Sequence, residues 1–199
     1  MTGELPESLG IERVLVVGTG AIGVSHLPTF VTLLRHHYRL DVAVTLTSAA
    51  RDLVSPRALR VLSGRPVIPP TWPEGSGPDH VEWADWAEAV IVWPATLDFL
   101  SRCAFGISDS LPVSIVVATK APVVHAPSLA TGAVDGGPFK RAVRLLQQDG
   151  HRVVGPVAGH SVANWQVSPG AVAPPGAVLK ELAGQLTATP APSTPPTAA

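Results

Sequence analysis

The tightest constraint on this chain is an aliphatic run that ends abruptly at glycine: Val14-Leu15-Val16-Val17, then Gly18-Thr19-Gly20-Ala21-Ile22-Gly23. A run with no polar alternation suits a parallel strand covered on both faces. A helical pattern follows over residues 24–37, with Leu27, Phe30, Val31 and Leu34 on one side. A second strand is expected at Val42-Ala43-Val44-Thr45-Leu46, then a helix around residues 49–62, with Pro56 in its first turn or dividing it. Residues 64–79 are rich in Pro and Gly and read as a loop. A third strand is expected at Ala89-Val90-Ile91-Val92-Trp93, a helix at 96–104, and a fourth strand at Ser114-Ile115-Val116-Val117-Ala118. Pro122 to Ala126 reads as a fifth strand, Phe139 to Asp149 as an amphipathic helix, and His151 to Val154 as a last strand. Strands alternating with helices predict an α/β fold, a parallel sheet with helices on both faces. Residues 1–11 read as a loose N-terminus and 12–184 as one domain. The Ala, Pro and Thr of 185–199 offer nothing to bury and are expected to be disordered.

Charge and cysteine content then remove whole classes of function. The net charge is −1, so the chain lacks the basic field that nucleic acid or an anionic membrane requires. Cys103 is the only cysteine, which excludes an intrachain disulfide and a multi-cysteine zinc site. His26, His36, His37, His80, His125, His151 and His160 are scattered without His-x-x-x-His or Glu-x-x-His spacing, so no metal is expected. No apolar stretch approaches membrane length, and no charged-then-apolar leader opens the chain. The cytoplasm is the simplest expected compartment.

The glycine loop has the Gly-x-Gly-x-x-Gly pattern of turns that bring backbone N–H groups up to a phosphate. Which phosphate compound it serves is less determined. A nicotinamide enzyme places an acid at the end of its second strand to hold the ribose. Here the acid, Asp41, opens that strand, and the strand ends in Thr45-Leu46-Thr47-Ser48. Hydroxyls there suit a second phosphate contact. An NADP enzyme using Arg51 is the alternative on this evidence. A tight turn that only packs a helix onto the sheet would account for one or two of the glycines.

The stretch from His80 through Trp83-Ala84-Asp85 and on to Trp93-Pro94-Ala95-Thr96-Leu97-Asp98 narrows the choice. It resembles the homo-oligomeric flavin-containing cysteine decarboxylases, the family of phosphopantothenoylcysteine decarboxylase and the epidermin-type peptidyl-cysteine decarboxylases. That family carries a histidine, a Trp-Ala-Asp-like helix, and a strand running into Pro-Ala-Ser/Thr-Ala-Asn-Thr. Ala104-Phe105-Gly106-Ile107-Ser108-Asp109-Ser110-Leu111 is similar to its Ala-x-Gly-x-x-Asp-x-Leu, Thr19 to Ile22 to its Thr-Gly-Ser-Ile loop, and Leu46 to Ala50 to its Leu-Thr-x-x-Ala turn. Residues 59–67 also fit, and the likeness runs in order over residues 12–157. Two positions depart. The family's Asn is Asp98 here, and its Pro-x-Met-Asn-x-x-Met-Trp segment survives only as Pro127 to Val134, with Ala130 in place of the Asn that helps bind the substrate carboxylate.

The resemblance implies a single Rossmann-like (flavodoxin-like) domain that binds FMN, or alternatively FAD, and assembles into trimers or dodecamers. The flavin phosphate would rest on the loop from Gly18, on the backbone of Gly20, Ala21 and Ile22, with the Thr47 hydroxyl donating. Pro94, Ala95 and Thr96 would line the ring, across a subunit boundary. His80 would act as general base or orient the thiol; its alternative is a surface position at a helix start. Asp98 would hydrogen-bond flavin or substrate, or else cap the helix that follows. Leu129 and Ala130 would meet the substrate, and Cys103 reads as core. The pantothenate branch uses a cysteine beyond its last strand to reduce its enethiol; Gly159 to Trp165 contains none. The resemblance therefore implies oxidative decarboxylation of a C-terminal cysteine on a ribosomally made precursor peptide, on the way to aminovinyl-cysteine. The alternatives are an NAD(P)-dependent oxidoreductase and a non-catalytic flavin-binding subunit.

Overall fold

The computed structural model describes residues 5–160 and 165–188. Five parallel strands form one sheet in the order β2-β1-β3-β4-β5: β1 Arg13–Gly18, β2 Asp41–Leu46, β3 Ala89–Ala95, β4 Val123–Pro127 and β5 Arg152–Val153. Strands β1 to β4 are buried on both faces, as their largely apolar runs require, and β5 at the edge is not. Val14 and Val16 of β1 face one cluster with Phe30, Leu34 and Trp93, while Leu15 and Val17 face another with Phe99, Ile115 and Leu146. The fold is thus a single α/β domain with a flavodoxin-like strand order.

After β1 the chain makes a 3₁₀ turn (Ile22–His26), helix α1 (Leu27–Thr32) and a π-helical turn (Leu33–His37). The expected helix at 49–62 is two: α2 (Ser48–Arg51) and α3 (Pro56–Ser63), each opened by a hydroxyl cap, Thr47 and Ser55. Pro56 sits in the first turn of α3, where its missing N–H has no cost. Beyond the loop come α4 (Asp79–Trp86), α5 (Leu97–Ala104) and α6 (Leu111–Ala118). Residues 114–118 are therefore not the fourth strand but the second half of α6. A short apolar run carries no period that separates a buried helix from a buried strand. Here Pro112 occupies the first turn, and Leu111 to Val116 are all buried. The fourth strand is β4, expected one place later.

Helices α7 (Thr131–Val134) and α8 (Gly137–Gln148) lead to β5, and an antiparallel hairpin follows, β6 (Val157–His160) with β7 (Val167–Ala171). Helix α9 (Pro175–Ala188) closes the described chain by burying Val178, Leu179 and Leu182. It runs past the expected boundary at 184: Leu186 packs on the core and Gln185 donates to the Gly150 carbonyl. The expected disorder of residues 189–199 falls outside the described residues. At the other end, Leu9 is buried and Tyr38 donates to the Pro6 carbonyl, so residues 5–11 are anchored rather than loose.

Candidate active site

The carboxyl ends of β1, β2 and β3 meet beside the point where strand order reverses, the place where open α/β sheets bind ligands. A cleft of about 550 Å³ opens there. Its walls come from Gly20 of the glycine loop, Thr47, Ser48 and Ala49 after β2, Pro70 and Thr71, Thr96, Asp98, Phe99 and Arg102 of the β3–α5 segment, and Asp109, Ser110 and Val113. Gly20, Thr47, Thr96 and Asp98, four of the residues singled out from the sequence, share this one cleft.

Close packing explains the glycines. A Cβ on Gly18 would lie 2.7 Å from Leu46 Cδ2, one on Gly20 2.6 Å from Ala49 Cβ, and one on Gly23 3.1 Å from Val172 Cγ1. All three glycines, not one or two, have a packing reason. The loop is further pinned by Thr19, which is fully buried. Its Oγ1 donates to the Pro94 carbonyl at 2.7 Å and accepts from Thr96 N–H at 2.9 Å. This cross-link between the β1 and β3 turns escaped the sequence reading. A hydroxyl between two glycines was its only signal.

The donor set fits a phosphate monoester. The Gly20 N–H has no acceptor within the described structure. Thr47 Oγ1 accepts from Ala50 N–H at 3.4 Å, which leaves its own hydrogen to donate. Ser48 and Thr71 add hydroxyls on the wall. The Ala21 N–H, by contrast, donates to the Thr19 carbonyl at 2.8 Å, and Ala21 and Ile22 do not line the cleft. Gly18 is buried beneath the loop, as are Pro94 and Ala95 at the end of β3, so only Thr96 of that triplet reaches the cleft.

Asp98 does not cap α5. That cap is Thr96, whose Oγ1 accepts from Phe99 N–H at 3.3 Å. Instead both Asp98 oxygens accept from Arg102 Nε at 3.0 Å, and Arg102 Nη1 donates to Asp109. His80 lies in the first turn of α4, outside the cleft of a single chain. Its Nδ1 is shielded and has no hydrogen-bond partner among the described residues, and its ring stands edge-on to Trp72 at 5.9 Å. Leu129 and Ala130 are also outside. Leu129 N–H donates to the Gly170 carbonyl, tying the segment to β7, and Ala130 is exposed at the start of α7. Gly170, at φ 128°, admits that approach, because a Cβ there would lie 2.2 Å from the Leu129 carbonyl oxygen.

The remaining titratable groups have structural surroundings. Cys103 is buried and its thiol is held well above the ordinary range by desolvation, as a core residue's would be. Asp41 pairs with Arg65, which holds its carboxyl below the usual range, and it sits at the edge of the sheet opposite the glycine loop. It is not placed to clamp a ribose. Among the described residues, no group of three or more His, Cys, Asp or Glu side chains could hold a metal, and no helix is long and apolar enough to cross a membrane.

An α/β sheet with an anion-suited cleft at its switch point is the architecture of a nucleotide-binding enzyme domain. Comparison with known proteins makes the class specific. The Flavoprotein family model matches residues 2–187, and the chain belongs to that family. It is 31% identical over 172 residues to the coenzyme A biosynthesis bifunctional protein CoaBC of Escherichia coli (strain K12). That match covers 84% of this chain and 41% of the relative, so the chain spans under half of the relative's length. Among solved structures, the FMN-dependent cysteine decarboxylase SpaF superposes with a TM-score of 0.77 at 26% identity, covering 91% of this chain and 98% of SpaF. The cypemycin decarboxylase CypD superposes with a TM-score of 0.71 at 26% identity, covering 92% and 97%.

Proposed function

We propose that this chain binds FMN and oxidatively decarboxylates the C-terminal cysteine of a precursor peptide, giving an aminoenethiol. The observation that carries the reading is the shared cleft. Gly20, Thr47 and Thr96 converge there with the hydroxyls and free N–H that a flavin phosphate needs, on a backbone that matches FMN-dependent cysteine decarboxylases over nearly its whole length. The same geometry favours a flavin over a nicotinamide, since Asp41 is paired with Arg65 at the far edge.

A bound flavin supplies a two-electron oxidant for the cysteine Cβ, and the resulting thiocarbonyl is the electron sink into which the carboxylate bond electrons flow as CO₂ leaves. Gly20, Thr47 and Thr96 hold the cofactor. His80 takes the thiol proton through Nε2, since its Nδ1 is shielded. Asp98 lines the same cleft, its oxygens accepting from Arg102. Leu129 and Ala130, held beside β7, border the substrate. Self-assembly into a trimer or dodecamer would bring His80 and this segment to a neighbouring cleft. Support for assembly comes from exposed apolar side chains such as Ile22 and Phe105, exposed by 53% and 62%.

The coenzyme A relatives motivate a second substrate, phosphopantothenoylcysteine. Against reduction of its enethiol stands the sole cysteine, Cys103, buried in α5 and far along the chain from the β6–β7 hairpin. The test is direct. The purified protein is expected to be yellow, to release FMN on denaturation, and to turn over a cysteine-ended peptide but not its alanine-ended control. Preferential turnover of phosphopantothenoylcysteine would move the substrate to the coenzyme A branch, and a colourless protein that takes up no flavin would end the reading.

A further inference from the structure

The charges on the cleft wall pose a problem for any phosphate ligand. Among the described residues three charged side chains line the cleft, Asp98, Arg102 and Asp109, and two of them are acids. Two unpaired carboxylates would repel a phosphate monoester, which itself carries about −1.5 to −2 at neutral pH. Among the described residues Arg102 is the one cation on the wall, and it is held in place. Its Nε donates to both oxygens of Asp98 at 3.0 Å, and its Nη1 donates to Asp109. The first contact is an i,i+4 pair on α5, and the second crosses to the loop before α6. A guanidinium has five N–H donors in a rigid fork. One N–H on Nε and one on Nη1 are engaged, so one on Nη1 and both on Nη2 have no acceptor within the described structure. The Arg102 side chain keeps 35% of its surface open.

We infer that Arg102 is an anion anchor of the cleft, oriented by Asp98 and Asp109, whose free N–H groups bind the phosphate of the flavin. Resting on the flavin reading above, this assigns Asp98 a positioning role: the carboxylate that departs from the family's amide aims the guanidinium and leaves the fork's outer edge to the ligand. The anchor complements Gly20 and Thr47, which supply only neutral donors to the same cleft. A lysine there could balance charge, but not hold two carboxylates and a phosphate through one planar group.

The test compares flavins that differ by that phosphate. FMN and riboflavin are titrated into flavin-free full-length protein, parent and Arg102→Met, and binding is read by quenching of flavin fluorescence. The substitution keeps helix propensity and length, and the lost ion pairs are exposed ones that contribute little to folding. FMN affinity is expected to fall about 10- to 100-fold, the range of charge-assisted hydrogen bonds, while riboflavin affinity stays unchanged. Arg102→Lys is expected to fall between the two, and the salt dependence of FMN binding to be weaker in Arg102→Met than in the parent. An equal fall for both flavins would reduce Arg102 to a loop fastener and overturn the assignment. So would an unchanged preference for FMN. If instead the KM for a cysteine-ended peptide rises while FMN preference persists, the anion is the substrate carboxylate and the phosphate assignment is wrong. Should Arg102→Met fail to fold, Arg102→Lys and the parent's salt dependence decide, and salt-independent FMN binding by the parent overturns it. A parent that binds neither flavin sinks the flavin reading itself, a result distinct from all of these.

Discussion

His125 should make this protein acid-sensitive in a pH window where no carboxylate interferes. It lies on β4 with no exposed surface, its Nε2 2.9 Å from His151 Nδ1 and its Nδ1 without a hydrogen-bond partner among the described residues. Burial, and then the neighbouring His151, push its pKa down to about 3 from 6.5. The folded protein therefore keeps His125 neutral while the unfolded chain takes up a proton below 6.5. A depressed histidine pKa means that the unfolded state binds more protons, so stability falls as pH drops from 6.5 towards 3. The slope is about 1.4 kcal/mol per pH unit for one such group. Between pH 7 and 5 the loss is about 2 kcal/mol, a large share of a domain's total stability. His151 is also depressed by desolvation, with Asp149 opposing, and adds in the same direction. Asp41 and Glu88 are shifted below 3.8 and 4.5, so their contribution is lost only at lower pH. Urea unfolding at pH 7, 6 and 5, with and without added FMN, measures the effect. The parent is expected to lose at least about 2 kcal/mol, and His125→Leu to lose less than the parent. Stability that is flat from pH 7 to 5 in the parent would refute the reasoning, because His125 would then be protonated in the folded state.

Three further outcomes are expected. His80→Asn should slow decarboxylation by about 10²–10⁴-fold while flavin content is unchanged, and a variant as fast as the parent would make His80 a helix-end residue. Gly20→Asp should purify without flavin, since its Cβ would lie 2.6 Å from Ala49 Cβ and its carboxylate would enter the anion cleft; a folded, fully yellow variant would discredit the loop as the phosphate site. Thr19→Val should lower stability by about 1–3 kcal/mol in urea unfolding, because the Pro94 carbonyl and Thr96 N–H lose their buried partner, and an unchanged midpoint would mean water replaces the hydroxyl.

What could be read from the chain and what could not divide along physical lines. The strands β1, β2 and β3 were legible because burial on both faces demands largely aliphatic residues, and in β1 the run from Val14 to Val17 stops at a glycine turn. The same logic misassigned residues 114–118, where a helix buried nearly all round shows no polar face to betray its period. Gly20 and Thr47 were legible from the glycine pattern and the hydroxyls that end the second strand, whereas Thr96 and Asp98 were legible only through the family resemblance of the Pro94–Asp98 segment; all four line one cleft. Thr19 and Arg102 were not. Thr19 matters through a bond to a residue 75 positions away, and Arg102 through a pair of carboxylates, one of them across a loop. The Thr19 and Asp109 contacts depend on how separate segments are placed against each other, which no local pattern encodes, and the i,i+4 spacing of Asp98 and Arg102 does not by itself place the pair in the cleft. The tie of Leu129 to Gly170 is of the same kind.

The central claim is that a flavin held in the Gly20–Thr47–Thr96 cleft oxidises a peptide's terminal cysteine as CO₂ leaves. An anaerobic single turnover tests it most directly, with a cysteine-ended peptide added to flavin-loaded protein in the absence of oxygen. The visible flavin absorbance is expected to bleach once while CO₂ is released in equal amount, and the peptide to lose CO₂ and two hydrogens by mass. Flavin that stays oxidised and a peptide of unchanged mass, across cysteine-ended peptides of varied sequence, would contradict the account and leave a flavin-binding protein without this chemistry.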